Sequence, residues 1–188
     1  GSTSGITTLG GEIAVKAGGQ LAIDKSVDAG AGMVDLSGSG IVAGMYGVVS
    51  ADSVRLASSA GVGTESTALQ MQASFLTIDN NHANGASAIN VANTGTLVLG
   101  RVLQSGADST GQITIKNAGT LSIPEIDPFE PGARVAVRSG AGAIRLYSTG
   151  AMTIDGNVES GSGSIGLDAG ADAMLKISST GIVTTATG

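Results

Sequence analysis

The sequence predicts an all-β protein, and within that class a parallel β-helix, in which short strands stack coil upon coil. Three observations lead to this prediction: short segments of alternating apolar and polar residues, a recurring frame of apolar positions with glycine at a fixed place, and 31 glycines among 188 residues. Alternation with a period of two puts every second side chain on the same face of a strand. Glycine is unfavourable inside helices and favoured in turns, so its frequency argues against a helical fold.

The recurring frame is clearest in the segment ITIKNAGTLSI, residues 113–123. Apolar residues occupy its first, third, ninth and eleventh positions, and glycine occupies the seventh. Equivalent segments begin at Ile13, Val34, Ile89 and Ile144, with one mismatch in the copy at Val34. The starts lie 21, 55, 24 and 31 residues apart, which indicates a period of twenty-odd residues with insertions. The number of copies within residues 45–88 and 160–188 stays open.

Stacking explains why such a frame would recur. One copy is too small to bury its apolar face, whereas stacked copies bury a continuous core. Roughly eight coils, about 4.8 Å apart, would make a rod about 40 Å long. A β-sandwich is the alternative, but a sandwich has no reason to repeat one glycine-containing frame. We expect eight frame residues to point inward and stack on equivalents one coil away: Ile13, Leu21, Ile89, Leu97, Ile113, Leu121, Ile144 and Ile154.

Composition narrows the function classes. The formal net charge is −6 and only nine residues are basic, which argues against a nucleic-acid partner. The absence of cysteine excludes disulfides and cysteine zinc sites. The single histidine, His82, lies in an Asn- and Gly-rich segment typical of a solvated loop, so we predict no catalytic, cofactor or metal site. No apolar run approaches the length that spans a bilayer, so membrane insertion is not expected.

The segment PEIDPFEPGAR, residues 124–134, is the most distinctive part of the chain because it holds all three prolines. Proline cannot donate a hydrogen bond to a strand ladder, so the segment is predicted to be a loop inserted into one coil and projecting from it. Loops on a rigid scaffold often carry binding. Five of its residues are therefore candidates for partner contact: Glu125, Asp127, Phe129, Glu130 and Arg134.

The whole chain, residues 1–188, is interpreted as a single β-solenoid segment of a longer protein. Residues 1–5 are expected to be an expression scar and a disordered start. The apolar frame begins by Ile13 and continues to Val183, without the polar capping units that protect the ends of a solenoid. Neighbouring β-helix segments of the parent chain are therefore expected partners.

The phrases GGEIAVKAGGQLAIDKSVDAGAG, ANTGTLVLGRVLQSG and AGTLSI resemble the repeats of filamentous-haemagglutinin-like exoproteins, the large adhesins of two-partner secretion systems. The resemblance covers most of the chain and consists of glycine-punctuated aliphatic alternation. It implies a right-handed parallel β-helix, secretion to the cell surface of a Gram-negative bacterium, and a host or bacterial surface protein or glycan as partner. That family's secretion domain carries an Asn-Pro-Asn signature, which is absent here, so the resemblance implies a shaft or distal adhesive region. Autotransporter passengers share the architecture and are the alternative family.

We therefore expect a structural and adhesive stalk segment, not an enzyme. The alternative is a carbohydrate-active β-helix enzyme of the pectin lyase-like or tailspike-like kind. Such an enzyme needs paired carboxylates, or a metal with a basic residue beside it. Carboxylates from adjacent coils that converge beside Lys or Arg would favour this alternative. Outside the proline segment the strand-associated acids stand singly, at Asp24, Asp35, Asp155 and Asp168.

Overall fold

Parallel strands stack along one axis and form a β-solenoid of about eight coils. The computed structural model describes residues 5–81, 84–85, 87–106, 108–127, 130 and 132–186. Among these residues there is no helix, and therefore none long and apolar enough to cross a bilayer. The predicted all-β solenoid is confirmed. The segment expected to be an expression scar, residues 1–5, lies outside the described residues apart from Gly5.

Twenty-one strands follow one another in the described part of the chain. The first seven are β1 (Ile6–Thr7), β2 (Ile13–Lys16), β3 (Leu21–Ile23), β4 (Val27–Asp28), β5 (Met33–Gly38), β6 (Ile41–Ala43) and β7 (Val48–Ser58). The next seven are β8 (Leu69–Asn81), β9 (Asn84–Gly85), β10 (Ile89–Thr94), β11 (Leu97–Ser105), β12 (Asp108–Ser109), β13 (Ile113–Ala118) and β14 (Leu121–Ile123). The last seven are β15 (Ala136–Ser139), β16 (Ile144–Ser148), β17 (Met152–Ile154), β18 (Asn157–Ser160), β19 (Ile165–Asp168), β20 (Leu175–Ile177) and β21 (Ile182–Thr185).

The later coils have three sides, with one strand on each. The strands β13, β14 and β15 form one coil, and β16, β17 and β18 lie directly on them in the same order. The strands β19, β20 and β21 continue the three stacks. The longer β11 covers two sides, because it pairs with β14 and then with β15 and changes register between Leu99 and Val102.

The core consists of columns of aliphatic side chains that run parallel to the rod axis. Seven of the eight residues predicted to point inward are buried, and Leu21 is half-buried and packs against the core. Burial of a side chain of this size contributes about 1.5 to 3 kcal/mol. One of the longest columns crosses eight coils and contains Val15, Leu36, Leu56, Ile78, Val102, Val137, Val158 and Val183.

The register corrects the alignment of the sequence frame. The frame treats Ile13 and Ile89 as equivalent first positions, but they stand in different columns. Ile13 pairs with Val34 and so belongs to the column that ends at Ile177. Ile89 instead stands in the column that starts at Leu21 and passes through Ile41, Val62, Ile113, Ile144 and Ile165. The first two copies are therefore displaced by one side relative to the later ones.

A polar ladder occupies one inner corner of the solenoid. Asn93 and Asn117 lie opposite each other in adjacent coils, and Asn93 Nδ2 donates to Asn117 Oδ1 at 2.9 Å. Asn93 Oδ1 accepts from the backbone N–H of Ala73 at 2.8 Å, and Asn117 Nδ2 donates to the carbonyl of Thr120 at 2.7 Å. In the next coil Ser148 takes the place of the asparagine, and its hydroxyl donates to a backbone carbonyl. The ladder adds side-chain hydrogen bonds to the backbone at this corner and links successive coils.

Candidate functional site

The proline loop, residues 124–134, folds back on itself within its described part. Ile126 and Arg134 form an antiparallel bridge, the one antiparallel contact among the described residues. The backbone N–H of Asp127 donates to Ala133 O at 2.9 Å, and Arg134 pairs with Glu125 at 2.7 Å. Two of the five predicted contact residues, Glu125 and Arg134, therefore bind each other. Phe129 lies outside the described residues.

A cation from the solenoid wall joins the loop to the coils beneath it. Arg101 forms an ion pair with Asp79 of the adjacent coil at 2.7 Å and reaches Glu130 of the loop at 3.8 Å. The hydrogen bond with Asp79 raises the pKa of the Arg101 guanidinium, and burial lowers it by a smaller amount, so the group stays charged. The loop is thus held against the wall by electrostatic contacts that the sequence did not indicate.

A cavity of about 170 Å³ lies between the loop and the wall. Asp127 is only 4% exposed, and Phe75 is also buried and lies against Gly100, where an added Cβ would meet the ring at 2.5 Å. Within its described part, the loop therefore lies against the wall of the solenoid. The cavity is lined by Met33, Ser53, Val54, Arg55, Phe75, Thr77, Arg101, Asp127 and Glu130.

Carboxylates from separate coils converge beside Arg101, which is the arrangement that would favour an enzyme. Asp79 comes from β8, whereas Asp127 and Glu130 come from the loop two coils further on. Asp79 and Glu130 both interact with the same guanidinium, so their charges are partly neutralised. No group of three or more metal-ligating side chains occurs among the described residues. His82 lies outside the residues that the structure describes.

A second surface, the lateral groove, lies on the side of the rod formed by β10, β13, β16 and β19. It is a concave region of about 900 Å³, far larger than the cavity under the loop. Five outward residues from five successive coils form a register-aligned row across it, because each pairs with the next in the parallel ladder. The row consists of Gln70, Ala92, Lys116, Tyr147 and Asp168.

The groove is built from the repeat itself. Its residues alternate with the inward columns, and the residue before each row member is buried at four positions and half-buried at Leu167. The polar ladder residues Asn93, Asn117 and Ser148 lie at its inner edge and fix the turns beside it. The rim and floor are completed by small and hydroxyl residues, namely Thr94, Ala118, Thr149, Ala169, Gly170 and Ala171.

Lys116, Tyr147 and Asp168 are exposed in the groove, whereas the ladder residues at its inner edge are buried and hydrogen-bonded. No described carboxylate lies within 4 Å of Lys116, and no described cation lies within 4 Å of Asp168. Tyr147 stands between them in the row and is 36% exposed. One cation, one anion and one aromatic ring therefore line up along the rod axis, and each can contact a ligand.

The sequence contained a signal for this groove that the frame did not use. Lys116, Tyr147 and Asp168 each follow a strand-starting isoleucine by three residues, at Ile113, Ile144 and Ile165. The fourth position of the frame points outward. Aligning the copies and comparing their fourth positions would therefore have placed the three residues in one row. The separations of 31 and 21 residues hide the row from a search for local motifs.

A comparison of this chain with protein-family models, with curated proteins and with solved structures finds no match.

Proposed function

We propose that this chain is a structural and adhesive segment of a large secreted bacterial surface protein, and that its lateral surface contacts a host or bacterial cell surface. The resemblance of its repeats to filamentous-haemagglutinin-like exoproteins supports this function, and autotransporter passengers are the alternative family. The segment works as a rigid spacer whose sides present residues at fixed intervals. It is not an enzyme in this proposal.

The observation that carries the proposal is the regular stacking of the coils, which displays outward side chains in register along the rod. In the row from Gln70 to Asp168, each residue pairs with its equivalent in the next coil. Such a surface offers a new contact at every strand spacing of about 4.8 Å, which suits a rigid spacer that binds a partner along its side.

Cell binding tests the adhesive part of the proposal. Fluorescently labelled protein is incubated with epithelial monolayers and with Gram-negative bacteria, and bound fluorescence is measured against protein concentration. We expect saturable binding to at least one surface, competed by unlabelled protein and absent for a heat-unfolded sample. Binding that never saturates, or that equals the unfolded control on both surfaces, would refute an adhesive role.

A carbohydrate-active enzyme is the second candidate, and the convergence of Asp79, Asp127 and Glu130 around Arg101 is the observation that favours it. Acid and base catalysis needs groups that reach one substrate atom together. The protein is incubated with polygalacturonate, other bacterial and plant polysaccharides and simple esters, with and without calcium. We expect no turnover above a heat-treated control. Turnover that disappears in Asp127→Asn, Glu125→Gln or His82→Ala would establish the enzyme and overturn the structural proposal.

A further inference from the structure

We propose that the lateral groove binds a linear, uncharged glycan chain laid along the rod axis. This inference rests on the proposed adhesive function and assigns it a site and a ligand class. All residues that line the groove lie in the part of the chain that the structure describes. Its volume of about 900 Å³ falls within the range of clefts that hold organic ligands.

The groove has the shape of a track for a polymer. Its row crosses five coils from Gln70 to Asp168, and successive residues are one strand spacing apart. Four spacings give a length of roughly 19 Å. Each spacing is comparable with the length of one hexose unit, so a chain of several sugars can meet a new side chain at each coil. A compact small molecule would use only part of this length.

The lining matches the two kinds of surface that a sugar presents. The C–H face of a pyranose ring is apolar and packs against an aromatic ring. Tyr147, which lies between Lys116 and Asp168 in the row, provides such a ring. Sugar hydroxyls both donate and accept hydrogen bonds. They can therefore accept from Lys116 and donate to Asp168, and both charged groups have no described ion-pair partner.

The charge of the groove favours an uncharged ligand. Its lining contains one cation and one anion, Lys116 and Asp168, so it attracts neither polyanions nor polycations strongly. The chain as a whole carries a formal charge of −6, which opposes anionic polymers such as uronates and sulfated glycans. An uncharged chain loses nothing to this repulsion.

A peptide fits the groove less well than a glycan. Peptides commonly bind by adding a strand to an open sheet edge, but β10, β13 and β16 are each paired on both sides, and among the described groove strands only β19 has an open edge. The floor is formed by small residues such as Ala92 and Ala118, without a deep apolar pocket for an anchoring side chain. The ligand must therefore bind through an exposed aromatic face and distributed hydrogen bonds.

NMR titration of the 18.2 kDa protein tests the proposal directly. Cellohexaose, maltohexaose and chitohexaose are the uncharged probes, and hexagalacturonate and a heparin hexasaccharide are the charged ones. We expect at least one uncharged probe to shift the amide signals of residues 92–94, 116–118 and 147–149 in a saturable way. No shift with any uncharged probe, or stronger binding of a charged one, overturns the assignment.

Matched variants separate the groove from the rest of the surface. Tyr147→Ala is expected to weaken the affinity for the bound hexasaccharide about fivefold or more, whereas Tyr147→Phe keeps the ring and most of the affinity. Tyr46→Ala is the control, because Tyr46 is an aromatic residue that is 68% exposed and lies outside the groove. Ala92→Phe fills the groove floor without removing a ligand contact and is expected to abolish binding. Equal affinity in all four variants overturns the proposal.

Cell binding by the same variants distinguishes failure of this inference from failure of the proposed function. If Tyr147→Ala and Ala92→Phe lose cell binding and periodate treatment of the cells has the same effect, the groove is the adhesive site for a glycan. If the variants bind cells like the wild type, or if binding is abolished by protease and unaffected by periodate, the adhesive function stands and the glycan groove is refuted. Absence of wild-type binding to any cell refutes the adhesive function itself.

Discussion

At the scale of single residues, the asparagine ladder is a structural feature that stands apart from the aliphatic core. Asn117 is buried and holds both Asn93 of the adjacent coil and the carbonyl of Thr120. The Asn117→Ala variant removes both hydrogen bonds, while Asn93 Nδ2 keeps Ala73 O as an acceptor and Thr120 O keeps the N–H of Leu97 as a donor. Since each hydrogen bond contributes about 0.5 to 1.5 kcal/mol net, we expect the two lost bonds to lower the free energy of unfolding by about 1 to 3 kcal/mol, measured by urea denaturation.

The neighbouring Lys116→Ala change is the control for the ladder, because Lys116 is exposed. It is expected to change the unfolding free energy by less than about 0.5 kcal/mol. A loss in Asn117→Ala no greater than in this control would show that the ladder contributes nothing to stability. The recurring frame includes the glycine two positions after each ladder asparagine but not the asparagine itself. A polar residue at an inward position interrupts the apolar alternation on which the frame is based.

Gly119 is the frame glycine whose role the structure explains best. Its φ of 153° lies in the region that L side chains rarely adopt, and an added Cβ would lie 2.2 Å from Gly95 O in the adjacent coil. The Gly119→Ala variant is therefore expected to lose more than about 1 kcal/mol of unfolding free energy. Gly18 has open space around its Cβ position, so Gly18→Ala is expected to be neutral or stabilising by up to about 1 kcal/mol. Thermal and urea unfolding compare the two, and equal losses would contradict the crowding argument.

At the scale of elements, strand type and stacking follow from the sequence, but the alignment of copies does not. Every side of a coil shows the same apolar alternation, so Ile13 and Ile89 look equivalent although they occupy different columns. Register is settled only when neighbouring coils pair, which requires contacts between residues about twenty or more positions apart. The same limit applies to the proline loop. The three prolines predict that a loop is inserted here. Its contact with the solenoid wall depends on Arg101 and Asp79, which come from earlier coils.

Deletion of residues 125–132 tests how strongly the proline loop contributes to the rod. In the next coil two residues, Asp155 and Gly156, join Ile154 to Asn157, so a short connection is compatible with the fold. A free surface loop could be removed at little cost. Because the described loop covers Phe75, we instead expect a loss of about 1 to 2 kcal/mol, from exposure of apolar surface. Circular dichroism should remain that of a β protein.

Arg101→Gln is the matched variant for the loop deletion. It removes the ion pairs to Asp79 and Glu130 and keeps the loop in place. Partly exposed ion pairs contribute little, so its loss is expected to be below about 1 kcal/mol and smaller than that of the deletion. A deletion variant with the melting temperature of the wild type would show that burial of Phe75 under the loop does not contribute to stability.

At the scale of the whole molecule, the two candidate surfaces differ in how they could be found. The proline loop stands out locally by its three prolines, and two of its charged residues, Glu125 and Arg134, pair with each other at 2.7 Å. The lateral groove has no local motif, because it arises only when Gln70, Lys116 and Asp168 are brought into one row by five stacked coils. A periodic surface of this kind becomes visible after the register is known.

The exposed end of the stack gives a last prediction for the molecule as a whole. Ile177 and Val183 close two of the longest core columns, and both are solvent-exposed on strands that have an unpaired edge among the described residues. Apolar surface beside an open strand edge promotes association of chains end to end, and such a head-to-tail contact does not close into a ring. We therefore expect the sedimentation coefficient of the protein to rise with concentration.

The double variant Ile177→Lys and Val183→Lys places charges on the edge and should remain monomeric over the same range. The control double variant, Ser179→Lys and Thr184→Lys, adds the same charge at exposed polar positions and should associate like the wild type. A wild-type protein that sediments as a monomer at every concentration would show that the end face does not drive association, and identical curves for the two lysine variants would show that net charge, and not the apolar columns, controls it.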